Sequence, residues 1–318
     1  TNREAVSTTT VPQRLAIIGG GVVGTEMATA FTALGSHVTL VSIDGILPTV
    51  EPFAADHVTA ALEASGVVLH PRSTPAKVQR DGSGTVHLTL ADGTVVESDE
   101  LLVAAGRTPN TSTIGLEHVG LVPGDWLRVD DALRVVDAAG SVVEDGWLHA
   151  AGDVNHRALL THQGKYQARA LGDAIVARAQ GREVDLAPWG RHAVTADERA
   201  VTQVIFSDPE VAAVGLTHRA ATAAGLEVRS VEYDLGSVAG AALHADGYRG
   251  RASMLVDVPR NVLVGFTAVG PDVAELAQTA AVAIAGEVPL DRLWHAVPAY
   301  PSMSEIWLRL LETYGRDA

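Results

Sequence analysis

Short apolar runs that end in glycine, alternating with Ala-rich stretches of helical period, fill the first hundred residues of this chain. Leu15-Ala-Ile-Ile18 is apolar throughout and stops at glycines, which predicts a buried strand over 14–18. A helical pattern over 22–34 and an apolar run over 37–42 complete a βαβ unit. Pro52 suits the first turn of a helix over 52–65. Gly66 closes that helix, and Val67-Val-Leu69 is the next strand. Residues 75–80, 85–90 and 94–98 alternate apolar and polar, with turns at Asp81-Gly82 and Asp92-Gly93, as a three-strand meander does. Leu101–Ala105 is a further short buried strand, ending at Gly106, while residues 1–13 form a polar, Thr-rich leading segment.

Loops dominate from Arg107 onward, up to a predicted strand at Trp147-Leu-His-Ala-Ala151, then Gly152-Asp153 and a long helix over 161–180. Pro188 and Gly190 mark a linker. The last block opens with a strand over 201–206 and continues with strands near 228–235, 251–257 and 262–269. Helices near 217–224, 272–285, 289–293 and 302–314 alternate with them, an α+β layering. The pattern contains no internal repeat and no low-complexity tract.

Composition narrows the possibilities. A chain of 318 residues exceeds one ordinary core and predicts two or three domains. Apolar content of 47% with 31 glycines fits a soluble α/β protein. The net charge of −15 argues against nucleic acid and anionic membranes as partners, since both need a basic surface. No apolar run approaches the roughly 20 residues a membrane crossing needs, and the N-terminus has no secretory pattern, so a cytoplasmic protein is expected. Cysteine is absent, which excludes disulfides, thiolate metal sites and thiol catalysis within these residues. The 12 histidines are scattered without H-x-x-x-H or H-E-x-x-H spacing, so no metal is expected.

Gly19, Gly21 and Gly24 fit G-x-G-x-x-G where the first strand turns into the first helix of the βαβ unit. The first glycine permits the tight turn, the second lets a pyrophosphate approach the backbone, and the third lets helix and strand pack closely. Free N–H groups and the positive end of the helix dipole then face the phosphates. A purely structural glycine turn is the alternative. The second strand of such a unit commonly ends in an acid that bonds the adenine ribose. Here it ends in Ser42, with Asp44 two residues later, and no arginine follows that could clamp a 2′-phosphate. Ser42 removes the usual repulsion of NADP, so NAD and NADP both stay open.

Five segments together resemble the pyridine nucleotide–disulfide oxidoreductases. They are Gly19-Gly-Gly21-Val-Val-Gly24-Thr-Glu26, Ala104-Ala-Gly106-Arg107-Thr-Pro109-Asn110, Ala150-Ala-Gly152-Asp153, Phe206-Ser-Asp208-Pro209-Glu210-Val-Ala-Ala-Val-Gly215, and Pro301-Ser-Met-Ser-Glu305. The resemblance implies an α/β protein in three parts: a Rossmann-like NAD(P) domain over 12–106, the remaining part of a split FAD domain over 107–187, and a C-terminal α+β dimerisation domain over 188–318. It implies FAD and NAD(P) as cofactors, a homodimer, and electron transfer from NAD(P)H through flavin to a small acceptor. The first part of the FAD domain, with its own glycine motif and the redox Cys pair of many members, would lie outside this sequence.

By the same resemblance, Glu26 lies near the nicotinamide; a first-turn glutamate that simply favours its helix is the alternative. Gly106 belongs to the cofactor-binding set. Gly152-Asp153 matches the second FAD motif, whose aspartate accepts from the flavin ribityl chain; a Gly-Asp turn at a strand end is the bland alternative. Leu160-Thr161-His162 opens a helix whose N-terminus points at the flavin pyrimidine edge and favours negative charge there. At the C-terminal end, disulfide-reducing members read His-Pro-Thr-x-x-Glu, and the histidine serves the partner subunit's thiols. This chain reads Tyr300-Pro301-Ser302-Met303-Ser304-Glu305. A phenol ordinarily titrates at about 10, too high for a base at neutral pH. Tyr300 and Glu305 are thus candidate catalytic residues for a quinone-like acceptor rather than a disulfide, with Tyr300 either donating a hydrogen bond or packing at a dimer interface. The open alternatives are a dihydrolipoyl dehydrogenase- or mercuric reductase-like dithiol enzyme whose cysteines lie outside this sequence, and a flavin-free NAD-binding dimerisation module. Leu308, Leu310 and Leu311 offer apolar surface for the dimer, unless the last helix packs only within its own domain.

Overall fold

Helix and strand follow the hydrophobic period closely in the N-terminal half of the computed structural model, which describes residues 1–316. The polar leader contains a short helix, α1 (Asn2–Ser7), none of whose residues is buried. There follow β1 (Arg14–Ile18), α2 (Val22–Ala33), β2 (His37–Ser42), α3 (Pro52–Ala64), β3 (Val68–Pro71), the meander β4 (Pro75–Arg80), β5 (Val86–Leu90) and β6 (Val95–Ser98), and then β7 (Glu100–Val103). The remaining elements are α4 (Thr161–Ala179), α5 (Ala196–Arg199), β8 (Thr202–Ile205), β9 (Glu210–Gly215), α6 (His218–Ala223), β10 (Val228–Asp234), α7 (Ala239–His244), β11 (Arg251–Asp257), β12 (Val262–Gly270), α8 (Leu276–Ala285), α9 (Leu290–Leu293) and α10 (Glu305–Tyr314). Among the described residues no helix is long and apolar enough to cross a membrane.

Two compact units emerge: residues 1–106 with 204–280 and 288–318, and residues 107–203 with 281–287. In the first unit, a parallel sheet of order β3-β2-β1-β7 carries the N-terminal part. Alternation along β1 sends Leu15 and Ile17 to one face, where they join Phe31 of α2 and Val58 and Leu62 of α3. Ala16 faces the other way, with Val41 of β2 and Leu88, Leu90 and Val96 of the meander. Both faces are therefore covered, as a parallel sheet requires. The chain runs from β1 out to β2 and β3, then returns to the far side of β1 as β7, so the strand order reverses between β1 and β7. Such a switch point opens a crevice beyond the strand C-termini.

The C-terminal part of the first unit holds a second sheet of order β10-β11-β12-β9-β8, antiparallel from β10 through β12 to β9. β12 is buried along its whole length. α10 lays Ile306, Trp307, Leu310, Leu311 and Tyr314 inward, and Trp307 stacks on Phe266 of β12 at 4.5 Å between ring centres. Leu310 and Leu311 are thus core residues of their own unit, not free apolar surface; the i, i+3, i+4 spacing that made them look available is the face the sheet takes up. Leu308 stays half-buried.

The second unit is mostly turns and isolated bridges around α4, with cores at Leu116, Leu127, Val135, Val143 and Ala150 and at Leu133, Ala170 and Val194. The strand expected at Trp147–Ala151 is reduced there to one bridge, Arg134↔His149. Its partner segment cannot continue a ladder: Leu133 sits at φ 60°, and the Asp130 carboxylate accepts from the backbone of Ala132 and Arg134, curling the chain away.

Candidate functional site

The glycine turn between β1 and α2 is closed by backbone against backbone. Gly19 takes φ 116° and donates its N–H to the Val41 carbonyl at 2.8 Å. A Cβ on Gly19 would overlap the Ala104 carbonyl beyond β7, and a Cβ on Gly24 would overlap the Gly19 carbonyl. Those two positions therefore require glycine for packing alone. Gly21 is different. It is the N-cap of α2, it has no side-chain capping bond, and a Cβ there meets nothing within 4 Å. An open glycine at an uncapped helix N-terminus fits an approaching pyrophosphate, whose oxygens the first-turn N–H groups would bind. Ala104 N–H donates to the Ile18 carbonyl at 2.7 Å, so β7 delivers Gly106 to the same sheet edge; Gly106 takes φ 125° and is likewise open.

Ser42 and Glu26 are both engaged by the protein itself. Ser42 is buried, and its hydroxyl donates to the Gly45 carbonyl at 2.5 Å, holding the 43–45 loop. Glu26 accepts from the Phe206 N–H at 2.9 Å, which ties α2 to the chain just after β8 and leaves the Phe206 ring exposed.

In the second unit, Gly152 takes φ 80° with open space at its Cα, and its N–H donates to Gln167 Oε1 at 2.6 Å. The start of α4 lies against this turn: a Cβ on Gly164 would come within 3.2 Å of the Gly152 Cα. Leu160, Thr161 and His162 open α4 without a side-chain cap. The His162 ring nitrogen Nε2 donates to the Thr202 carbonyl at 2.6 Å, so its side chain serves structure and its backbone N–H stays at the helix end. Asp153 is exposed and pairs with Arg107 at 3.2 Å.

Beneath this turn runs a buried polar network that the sequence pattern did not reveal. Gln167 Oε1 also accepts from Asn155 Nδ2 at 2.8 Å, and Gln167 Nε2 donates to Asp197 Oδ2 at 2.7 Å. Gln163 Nε2 reaches Asp197 Oδ1 at 3.3 Å, and Arg157 Nε stands 3.6 Å from Oδ2. Burial pushes the Asp197 carboxyl up to about 6, against the pull of Gln167 and Arg157. The sequence signal was faint: Gln163 and Gln167 are four apart on a helix, which puts two amides on one face.

Tyr300 and Glu305 differ in burial. Tyr300 is 77% exposed. Glu305, at the start of α10, is buried; it accepts from Arg309 at 2.6 Å and from the Ala239 N–H at 3.3 Å. Among the described residues no group of three His, Asp or Glu side chains could hold a metal ion.

Residues 1–181 match the pyridine nucleotide-disulphide oxidoreductase domain, and residues 201–310 match the dimerisation domain that goes with it. The chain belongs to the pyridine nucleotide-disulphide oxidoreductase family. A mercuric reductase of Shigella flexneri is 31% identical over 324 aligned positions, taking in 100% of this chain and 53% of that protein. An NAD(P)H dehydrogenase (quinone) of Mycobacterium tuberculosis is 31% identical over 297 positions, covering 92% of this chain and 56% of that protein. The crystal structure of LpdA from Mycobacterium tuberculosis superposes with a TM-score of 0.80 at 28% identity, covering 97% of this chain and 63% of that one. The chain therefore spans a little over half the length of these relatives.

Members of this oxidoreductase family bind FAD and NAD(P)H. The glycine turn at Gly19–Gly24 fits a dinucleotide on the packing grounds given above. The Gly152 turn fits a share of the flavin cofactor: a positive-φ glycine with open space, an exposed carboxylate beside it, and an uncapped helix N-terminus.

Proposed function

We propose that the intact protein is an FAD-dependent NAD(P)H oxidoreductase that passes electrons to a small, quinone-like acceptor, working as a homodimer. The domain scheme that goes with this is an NAD(P) domain at 12–106, part of the FAD domain at 107–187 and a dimerisation domain at 188–318. FAD, when bound, supplies the hydride acceptor and the onward electron relay. This chain's own residues do the rest. Gly21 and the first turn of α2 bind the NAD(P)H pyrophosphate, Gly19 and Gly24 let strand and helix close tightly enough to form that turn, and Gly106 leaves the crevice floor clear. Glu26 holds α2 against the Phe206 backbone. Gly152 and Asp153 hold part of the FAD, Asp153 by accepting from a hydroxyl, and the N–H groups at Leu160–His162 favour negative charge at the flavin edge.

One observation carries the choice of acceptor. At the position where disulfide-reducing members have a histidine, this chain presents an exposed phenol, Tyr300, and the neighbouring Glu305 carboxylate is taken up by Arg309 and the Ala239 N–H. A phenol can donate a hydrogen bond to a carbonyl oxygen but is a poor proton shuttle for thiols at neutral pH. Glu305 then positions α10 and the segment ahead of it. The relative named as a quinone dehydrogenase supports the same choice. Steady-state turnover of the full-length protein with NADH or NADPH tests it: menadione should be reduced and lipoamide should not. Tyr300→Phe should slow menadione turnover by about tenfold, the worth of one hydrogen bond to a developing oxyanion, and leave flavin reduction by NAD(P)H unchanged. Efficient lipoamide turnover would defeat this choice.

A second function is favoured by the relative named mercuric reductase. In it, a Cys pair from outside this sequence would form the acceptor site. Thiol titration of the full-length protein decides between the two.

A further inference from the structure

The parallel pairing of β2 with β3 brings a cation to the end of β2 that lies some thirty residues away along the chain. Ser42 pairs with Pro71, and Ser73 donates its N–H to the Ser42 carbonyl at 2.9 Å. Arg72 therefore lies between two residues that both meet Ser42, Pro71 by strand pairing and Ser73 by its N–H, which places it beside the end of β2. Arg72 is held at φ 53°, in the left-handed region that a residue with a Cβ seldom occupies. Its side chain is exposed and, among the described residues, has no hydrogen-bond or ion-pair partner. Asp44, on the loop after β2, is exposed and unpaired in the same way.

The end of the second strand in a dinucleotide-binding βαβ unit is where the adenine ribose is read. Ser42 offers nothing there, because its hydroxyl is turned in to Gly45. What remains is one anion from the β2 loop and one cation from the end of β3. A carboxylate suits the two ribose hydroxyls of NAD(H), whereas a planar guanidinium matches two phosphate oxygens at once. We propose that Arg72 recognises the 2′-phosphate of NADP(H) and Asp44 the ribose hydroxyls of NAD(H), so that the turn accepts both nucleotides and Arg72 sets the share taken by NADP(H). This rests on the assignment of Gly19–Gly24 as the nucleotide turn.

Binding, not turnover, tests it. The purified chain is titrated by calorimetry with 2′,5′-ADP and with 5′-AMP, in the wild type and in Arg72→Gln, Arg72→Lys and Asp44→Asn variants, with NADH and NADPH fluorescence in parallel. Arg72→Gln should weaken 2′,5′-ADP about tenfold or more while leaving 5′-AMP within about twofold. Arg72→Lys should recover part of the loss, as a point charge without the fork. Asp44→Asn should weaken 5′-AMP and NADH and leave 2′,5′-ADP unchanged or tighter. Equal effects of Arg72→Gln on both probes, no effect on either, or a wild type that binds 5′-AMP but not 2′,5′-ADP would each overturn the assignment of Arg72. A wild type that binds neither NADH nor NADPH would overturn the nucleotide turn itself, and circular dichroism of each variant identifies any loss that comes from misfolding.

Discussion

At Gly19–Gly24 a turn is held by main chain against main chain: the Gly19 N–H on the Val41 carbonyl, Gly24 against the Gly19 carbonyl, Gly19 against Ala104. At Gly152 a turn of similar outline, a glycine ahead of an uncapped helix, is held by side chains. Gln167 receives both Gly152 and Asn155, and a buried Asp197 fixes the Gln167 amide. The first arrangement depends on the absence of side chains and carries no titrating group. The second depends on a carboxylate that burial has pushed up to about 6. Equivalent local geometry can thus be steric in one unit and electrostatic in the other, and perturbation should separate them.

The largest effect is expected from Gly24→Val. Its side chain would meet the Gly19 carbonyl, which belongs to the strand end and cannot move aside, so about 3 kcal/mol of stability should be lost. Urea unfolding measures this, and a loss under about 1 kcal/mol would mean the turn is looser than its main-chain contacts imply.

Next comes pH. The folded-state pKa of Asp197 lies above the ordinary carboxylate value, so the native state holds its proton more tightly than the unfolded chain. The stability this group contributes is full below about pH 4 and is lost as pH rises through about 6, by about 3 kcal/mol in all. Arg157 faces Asp197 from the turn, Gln163 and Gln167 from α4, and Glu198 and Asp131 add negative charge nearby. Unfolding free energies of wild type and Asp197→Asn, measured from pH 4 to pH 7, should converge or cross accordingly; parallel curves would show that Asp197 does not titrate in this window. The first unit should respond with the opposite sign. Arg14 beside the exposed Asp99 holds that carboxyl below the usual range, so its contribution is present at neutral pH and fades on acidification.

A smaller change distinguishes packing from recognition within the first turn. Gly21→Ala places its Cβ in open space, so stability should move by less than about 0.5 kcal/mol, whereas NADH affinity should fall about tenfold because the phosphates are pushed away from the amides. A loss of stability with unchanged affinity would reverse the roles given to Gly21 and Gly24. The smallest effect is expected at Arg107→Ala. Its pair with Asp153 is exposed on both sides, and removing it should alter unfolding by less than about 0.5 kcal/mol.

What could be read in the sequence was what depends on neighbours along the chain. The strand over 14–18, the helices after Gly21 and Pro52, and the meander over 75–98 follow from periods of 2 and 3.6 and from glycine and proline punctuation, and each appears within a residue or two. The glycine motif was legible for the same reason. The short helix at Asn2–Ser7 was missed because only Ala5 packs, and only in part, against the core, which leaves no periodic signature. The strand expected at Trp147–Ala151 failed because an apolar run shows only that a segment is buried; whether it pairs depends on a partner, and here the partner curls away at Leu133. The roles of Leu310 and Leu311 were likewise settled by the sheet that covers them.

Fold class and the glycine turn at Gly19–Gly24 were therefore legible in residue order alone, since local backbone preference and hydrophobic period act over a few positions. The tertiary structure alone decided that Ser42 is spent on Gly45, that Glu26 meets Phe206 across 180 positions, that Gln167 and Asp197 share a buried bond, and that Arg72 stands beside the end of β2. All but the first are contacts between segments distant in sequence, and the first is a local choice that a three-residue spacing does not announce; a side chain's partner is known only once the chain has chosen which segments lie side by side.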